Sequence, residues 1–287
     1  MLKRSTIQLL RFHFSFFLMP VFMFALSEVE KPDWRRAILV FIILHLLVYP
    51  SSNGYNSYMD KDAGSIGGIE KPLQPTIQLF WITLIMDIIA IGLSLLISRL
   101  FTTGILFYIL ASRAYSYRGI RLKKYPFIGY LTVIFFQGAL TFWLVYHGSH
   151  QLLTTEVPGT GMIASSLLIG GFYPLTQIYQ HEADRKDGVM TISAFLGYRG
   201  TFVFTAIIYI VSLSVLAKHY FSKMEVSPFL ILTIFMSPII VYFFVWGKKV
   251  WNDPSVADFK NTMRMNLIAC SCTNLAFLII LITRYFE

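Results

Sequence analysis

Apolar stretches close to 20 residues long return along the whole chain, and they restrict its fold more than any other feature. They fall near residues 8–27, 34–52, 77–98, 101–116, 126–147, 160–180, 200–217, 227–247 and 265–283. Each is long enough to cross about 30 Å of hydrocarbon as a helix. Inside hydrocarbon only a helix or a closed barrel satisfies its own backbone, and a barrel would read as short alternating strands. The sequence therefore predicts an all-α polytopic membrane protein, a bundle of nine transmembrane helices over residues 1–287 with no sizeable soluble domain between spans. Composition agrees: 14% of residues are charged, against about 25% in soluble domains. The first run is too long for a signal peptide and lacks a small-residue cleavage site, so it reads as a retained helix.

A formal charge of +9 raises the question of nucleic acid, and its placement answers against it. Most lysines and arginines crowd into alternate loops on the side of the N-terminus, including Lys3, Arg4, Lys61, Arg185, Lys248 and Lys249. That is the bias of cytoplasmic loops, so the sequence predicts an integral protein of the bacterial inner-membrane kind, with the N-terminus and these loops cytoplasmic. The two cysteines, Cys270 and Cys272, lie two residues apart in the last run, point to different helix faces and read as packing thiols.

Three polar stretches share that inner side. Tyr173 to Thr191 reads YPLTQIYQHEADRKDGVMT: Gln177, Gln180, His181, Asp184 and Asp187 recur at three- and four-residue spacing and would form one stripe on a helix, closed by Gly188. After the second run, Asn56 and Asp60 stand one helical turn apart, Asp62 falls off their face, and a long glycine-rich loop follows. The stretch RAYSYRGIRLKKYP offers Arg113, Arg118, Arg121, Lys123 and Lys124 beside Tyr115 and Tyr117, as a headgroup anchor, a clamp for a polyanion, or both. Arg11, one turn into the first run, reads equally as a snorkelling arginine or an anion ligand. His45 reads as a core histidine with a hydrogen-bond partner, Asp87 as a structural intramembrane carboxylate, Asn266 and Asn274 as interhelical donors, and Pro20 as a kink.

Carboxylates and amides at helix ends, with cations beside them, suit Mg²⁺ bridging to phosphate oxygens, since Mg²⁺ takes few protein ligands and completes its shell from water and substrate. An apolar bundle beneath would hold a hydrocarbon tail. A lipid diphosphate matches both halves, and loss of diphosphate would leave an allylic cation for aromatic faces to stabilise.

In these residues the chain resembles the UbiA superfamily of intramembrane prenyltransferases, nine-helix proteins whose two aspartate-rich motifs, ending helices 2 and 6, bind Mg²⁺ and a prenyl diphosphate. The first motif, N-D-x-x-D-x-x-x-D followed by R-P, is matched by Asn56-Ser57-Tyr58-Met59-Asp60-Lys61-Asp62-Ala63-Gly64 and then Lys71-Pro72. The second, D-x-x-D-x-x-x-D-x-x-x-G-x-x-T, is matched by Gln177, Gln180, Asp184, Gly188 and Thr191. Tyr115-Ser116 through Leu122-Lys123 is similar to the family's tyrosine-serine-to-lysine loop, and Arg11 to an arginine of its first helix. The resemblance implies catalytic roles for Asp60, Asp184 and Tyr115. It implies Mg²⁺ ligands among Asn56, Asp60, Asp62, Gln180, Glu182 and Asp184, and diphosphate contacts from Arg11, Lys71, Arg118, Lys123 and Gln177. His181 reads equally as a donor to diphosphate or a base, and as a simple polar neighbour. Four motif aspartates are replaced, by Ser57, Gly64, Gln177 and Gln180, which implies weaker metal binding or fewer ions. The expected activity is transfer of a prenyl group from its diphosphate to an aromatic or lipid acceptor. A terpene cyclase on the same scaffold, needing no acceptor, is the alternative, and a non-catalytic membrane protein the second.

Overall fold

The computed structural model describes residues 1–286. They form α1 (Arg4–Leu10), α2 (Met19–Ser27), α3 (Trp34–Phe41), α4 (Tyr49–Asp60), α5 (Ile77–Ser94), α6 (Arg99–Ser116), α7 (Pro126–Val133), α8 (Thr141–Ser149), α9 (Gly159–Gln177), α10 (His181–Lys186), α11 (Ile192–Phe221), α12 (Val226–Asn252) and α13 (Phe259–Phe286). Among the described residues there is no strand, only isolated bridges between Pro32 and His150 and between Ile66 and Ile69. Side-chain caps mark where helices begin: Asp33 accepts from the Arg36 N–H, Ser98 from that of Phe101 and Thr191 from that of Ala194, satisfying donors a helix start leaves open.

Several predicted runs are chained from more than one kind of helix. A π-helical segment, Ile42–Val48, joins α3 to α4, and a second, Ile134–Leu140, joins α7 to α8, giving crossings of 27 and 24 residues. The first run breaks at Arg11, whose φ of 48° is left-handed, continues as a 3₁₀ helix over Phe12–Phe17 and bends by 42° into α2. Pro20, expected to kink this run, sits in the first turn of α2, where its missing N–H forfeits nothing; the break starts earlier, at Arg11.

Among the described residues six helices are long and apolar enough to cross a membrane, seven if the bent pair counts as one span. The helices at the fourth and sixth predicted runs, α6 and α9, have 18 and 19 residues but are more polar, because Ser112, Tyr115 and Ser116 on one and Tyr173, Thr176 and Gln177 on the other line an interior cavity. Ile207, Ile210 and Val211 of α11 and Ile234, Val241 and Phe244 of α12 are exposed. Apolar surface of that extent needs hydrocarbon around it.

The helices close into a ring: α4 packs on α5 and α6, the α7–α8 rod on α6 and α9, α9 on α11, α11 on α12, α12 on α13, and α13 on α2. At one end α2 also packs on α8 and plugs the ring. Phe24 stacks on Phe277 at 4.6 Å and meets Phe142 edge-on at 5.1 Å. Beside the plug the buried Glu28 carboxylate meets His219 Nε2 at 2.8 Å, Lys223 Nζ at 2.5 Å and Arg284 Nη1 at 3.0 Å, so an otherwise costly charge is balanced by α11 and α13. At the other end α1 packs on the outside of α4 and α5.

His45 has the partner expected of it, Ser15 Oγ at 2.5 Å from Nδ1. Asp87 is structural: it is 5% exposed, ion-paired with Arg113 and bonded to Ser51 Oγ at 2.6 Å. Arg113 therefore belongs to this pair and to the face of Tyr55, 4.0 Å from its ring centre, and not to an anion clamp. Asn274 donates to the Phe16 carbonyl at 3.5 Å, whereas neither side-chain polar atom of the buried Asn266 has a partner.

Candidate active site

The unplugged end of the ring holds a cavity of about 1100 Å³. Its mouth is built from four segments that follow the ends of three helices, α4, α6 and α9. The last turn of α4 brings Asn56 and Asp60, and Lys61 turns left-handed (φ 55°) after them. The loop that follows brings Asp62. The α6–α7 connection brings Lys123, and the α9–α10 junction brings Gln177, Gln180, Glu182, Asp184 and Asp187. The cavity then runs inward between α6 and the π-helical segment after α7, where Tyr108, Phe136 and Gln137 line it.

Cations tie the two acidic segments together. Lys123 Nζ is ion-paired with Asp60. The buried Arg121 bridges Asp60, at 3.5 Å, and Asp187, with which it forms a second ion pair, and it donates to the Asp187 carbonyl at 3.2 Å. Arg121 reaches both because its own φ of 52° turns the chain sharply before Leu122–Lys124. Arg11 is buried, lines the cavity and donates to the Asn53 carbonyl at 3.2 Å and the Gly67 carbonyl at 3.4 Å, leaving Nε without a partner. It does not snorkel.

The acidic side of the mouth is under electrostatic tension. Burial, together with Asp62 and Asp60, lifts the Asp184 carboxyl to about 6 against the pull of Lys123 and the Thr191 hydroxyl. Burial and the neighbouring Asp60 raise Asp62 as well. Thr191 Oγ1 both caps α11 and donates to Asp184 Oδ2 at 3.4 Å. Gly188, at φ 67°, ends α10 with a bond from the Val189 N–H back to the Asp184 carbonyl at 2.8 Å, so the expected terminator is where the sequence puts it.

Not every candidate from the sequence reaches the cavity. The stripe over Gln177 to Asp187 is interrupted by a 3₁₀ turn, Ile178–Gln180, whose larger rotation per residue turns His181 out of line. His181 faces the bundle instead, 2.7 Å from Ser193 Oγ and against Tyr198, and burial beside Arg185 pushes it down to about 4. It packs as a core histidine, outside the cavity lining where a bound anion would sit. Lys71 is exposed and lies outside the cavity lining. Arg118 holds the end of α4 from outside, donating to the Met59 carbonyl at 2.8 Å. Glu182 sits exposed at the rim.

Other lining groups did not stand out in the sequence. Tyr173 shares a hydroxyl–hydroxyl bond with Tyr115; it lies one turn before Gln177, and that spacing is the signal that would have found it. Tyr179 lines the cavity with its hydroxyl unpartnered, and Ser255 and Asp258 of the loop after α12 and Phe259 at the start of α13 also line it. No periodicity announces those.

A helical ring embedded in a bilayer, with an acidic and cationic mouth above an aromatic interior, defines the class. Residues 16–268 match the UbiA prenyltransferase family; the chain belongs to that family. Among solved structures, it is similar to a UbiA homolog from Aeropyrum pernix K1 (TM-score 0.69, 15% identity, 94% of this chain and 98% of that one). It is similar to a UbiA homolog from Archaeoglobus fulgidus bound to DMAPP and Mg²⁺ (TM-score 0.68, 16% identity, 96% and 99%). A structure of digeranylgeranylglyceryl phosphate synthase gives a TM-score of 0.65 at 17% identity, over 98% of both chains. No curated protein matches the chain in sequence.

Proposed function

We propose that residues 1–287 form one transmembrane prenyltransferase domain that ionises a prenyl diphosphate with Mg²⁺ and passes the prenyl group to an aromatic or lipid acceptor. The observation that carries this reading is the joining of Lys123 and Arg11 to Asp60, Asp62 and Asp184 at the mouth of a cavity whose inner wall is aromatic. The fold-mates bound to DMAPP or GPP with Mg²⁺ support it. The crowding of basic residues on the mouth side supports a cytoplasmic orientation for that face.

The donor set fits a divalent cation. Asp62 and Asp184 face one another's charge with burial against them, Gln177 Oε1 is buried without a partner, and Asn56, whose amide N–H₂ is spent on Ser116 at 3.0 Å, keeps its oxygen for the cavity. Among the described residues no three His, Cys, Asp or Glu side chains converge on one point. Mg²⁺ takes one or two carboxylates and fills its shell from water and diphosphate. One or two of Asp60, Asp62 and Asp184 would hold it, with Asn56, Gln180 and Glu182 at the margin. Once bound it would neutralise diphosphate oxygens and favour their departure.

The chain's own residues do the rest. Lys123 and Arg11 hold the diphosphate by charge. Tyr115 and Tyr173, joined by their hydroxyls and both lining the cavity, offer aromatic rings to the cation left behind. Tyr108 and Phe136, 6.2 Å apart, bound the space for the chain.

The test is diphosphate release by purified protein in detergent with Mg²⁺ and a panel of prenyl diphosphates, with and without quinone-like or lipid acceptors. Release that needs an acceptor supports transfer. Release without one, yielding cyclic hydrocarbon, points to a cyclase. Neither release nor binding of any diphosphate leaves a non-catalytic member of the family.

Metal affinity should depend on pH. A ligand must be deprotonated, and Asp184, held at about 6, is a carboxylate above that value and an acid below it. Mn²⁺ affinity, followed by electron paramagnetic resonance, should fall about tenfold per pH unit once the pH drops below the Asp184 value. Asp184→Asn should flatten the profile at low affinity; an affinity in the native protein that ignores pH across this range would remove Asp184 from the ligands.

A further inference from the structure

The loop after α4 is held over the cavity from both sides, and one of its holders is a residue of the second polar segment. The loop folds on a tight turn in which Ile66 and Ile69 exchange both backbone bonds at 2.9 Å, with Gly68 at φ 81°. Ile66 and Ile69 are buried against Leu9, Leu10 and Leu79, which pins the turn to α1 and α5. From the first span Arg11 donates to the Gly67 carbonyl, and His13 Nε2 lies 3.2 Å from the Gly68 carbonyl. The fit is close. A Cβ on Gly67 would stand 2.6 Å from the Phe14 ring, and one on Gly68 2.4 Å from His13.

Across the mouth, Gln180 Nε2 donates to the Ser65 carbonyl at 3.1 Å. The amide orientation is set by chemistry, since the opposite one would face oxygen to oxygen. Between the isoleucine pin and α4 lies Asp62, which lines the cavity.

We infer that Gln180 is a positioning residue: its amide latches the 62–65 segment across the cavity mouth and so fixes Asp62 over the site. A carboxylate at this position has no proton to give at neutral pH and would repel the Ser65 carbonyl, so the latch explains why an amide, and not an acid, stands here. On its own side the segment is also held by Gln74 Nε2, which donates to the Asp62 carbonyl at 3.4 Å, and by Ser65 Oγ, which donates to the Glu70 carbonyl at 3.0 Å. Gln180 is the holder that reaches from across the mouth, and its latch is one neutral bond at a partly buried site. Releasing it frees the segment from the second polar stretch while Ile66 and Ile69 stay seated.

The test is limited trypsin cleavage of the detergent-purified protein after Lys61, with Gln180→Glu and Gln180→Ala beside the native chain. Gln180→Glu keeps the shape and loses the donor. Cleavage there needs the 62–65 segment to leave the mouth and enter the protease, so its rate follows the open population. Loss of one such bond should accelerate it about 5- to 10-fold, with cleavage after Lys223 unchanged. Equal rates after Lys61 in all three proteins, or an equal acceleration at both sites, would overturn the latch.

A second readout rests on the prenyl-diphosphate reading. With geranyl diphosphate and Mg²⁺, Gln180→Glu should raise the share of prenyl cation captured by water, where the C–O bond to diphosphate breaks, diphosphate leaves with the electron pair, and water gives prenyl alcohol and a proton. If the native chain releases no diphosphate, the functional reading fails while proteolysis still decides the latch; if it does and the alcohol share is the same in both, the positioning role of Gln180 fails.

Discussion

Arg113→Met should destabilise the bundle by about 3–5 kcal/mol, because it leaves the Asp87 carboxylate charged, buried and without its partner. The two side chains are 20% and 7% exposed, and Ser51 Oγ joins them at 2.6 Å to Asp87 and 2.9 Å to Arg113. Three helices, α4, α5 and α6, therefore share one charged knot. Asp87→Leu alone strands the guanidinium instead, although its stacking on Tyr55 preserves part of the contact, so its cost should be smaller. The double variant Arg113→Met with Asp87→Leu removes both charges and should recover most of the loss. Unfolding in a detergent titration measures all three. Arg113 is outside the cavity lining, so activity per folded molecule should hold in the double variant. Additive losses in the cycle would mean that the two side chains do not act as a pair.

The knot also marks how much the sequence revealed. Asp87 was legible as structural, since an intramembrane carboxylate far from the polar loops needs an internal partner, but nothing in one dimension said that the partner was Arg113. Charge in RAYSYRGIRLKKYP looks uniform along the chain, and only folding sorts it. Arg113 turns inward to Asp87, Arg121 and Lys123 turn to the mouth, and Arg118 clasps α4 from outside. Membrane class, helical architecture and family were legible because they rest on run length and motif order, which are properties of the sequence itself.

The site was legible in part. Asp60, Asp62, Asp184 and Lys123 came together as their motifs implied. His181 did not, because a 3.6-residue period was assumed through a stretch that tightens to 3₁₀ at Ile178–Gln180. Lys71 did not, because a long loop placed it beyond the turn at Ile66–Ile69 and the sequence carries no sign of where that loop folds back. The motif places Gln180 among the Mg²⁺ ligands; in the fold its amide N–H₂ goes to the Ser65 carbonyl, which leaves only its oxygen for an ion, and no spacing in the sequence marks that donor.

Lys123→Met should lower diphosphate release about 10²- to 10³-fold, the range found when one preorganised charge-stabilising donor is removed from an active site. Lys123 lines the cavity with a side chain only 12% exposed, ion-paired with Asp60, and its charge also restrains the rise of Asp184. Its loss acts twice. The diphosphate forfeits a contact, and Asp184, freed from a nearby cation, moves further above 6 and is protonated over more of the working range. The two effects separate by pH. Raising the pH by about one unit should restore the second and not the first, so Lys123→Met should regain part of its loss in alkaline buffer while the native chain changes little. Lys123→Arg keeps the charge on a broader head and should hold Asp184 near its native value while binding diphosphate less well. A Lys123→Met protein that turned over at the native rate at every pH would show that the ammonium serves only to brace Asp60, leaving Arg11 as the cation that meets the substrate.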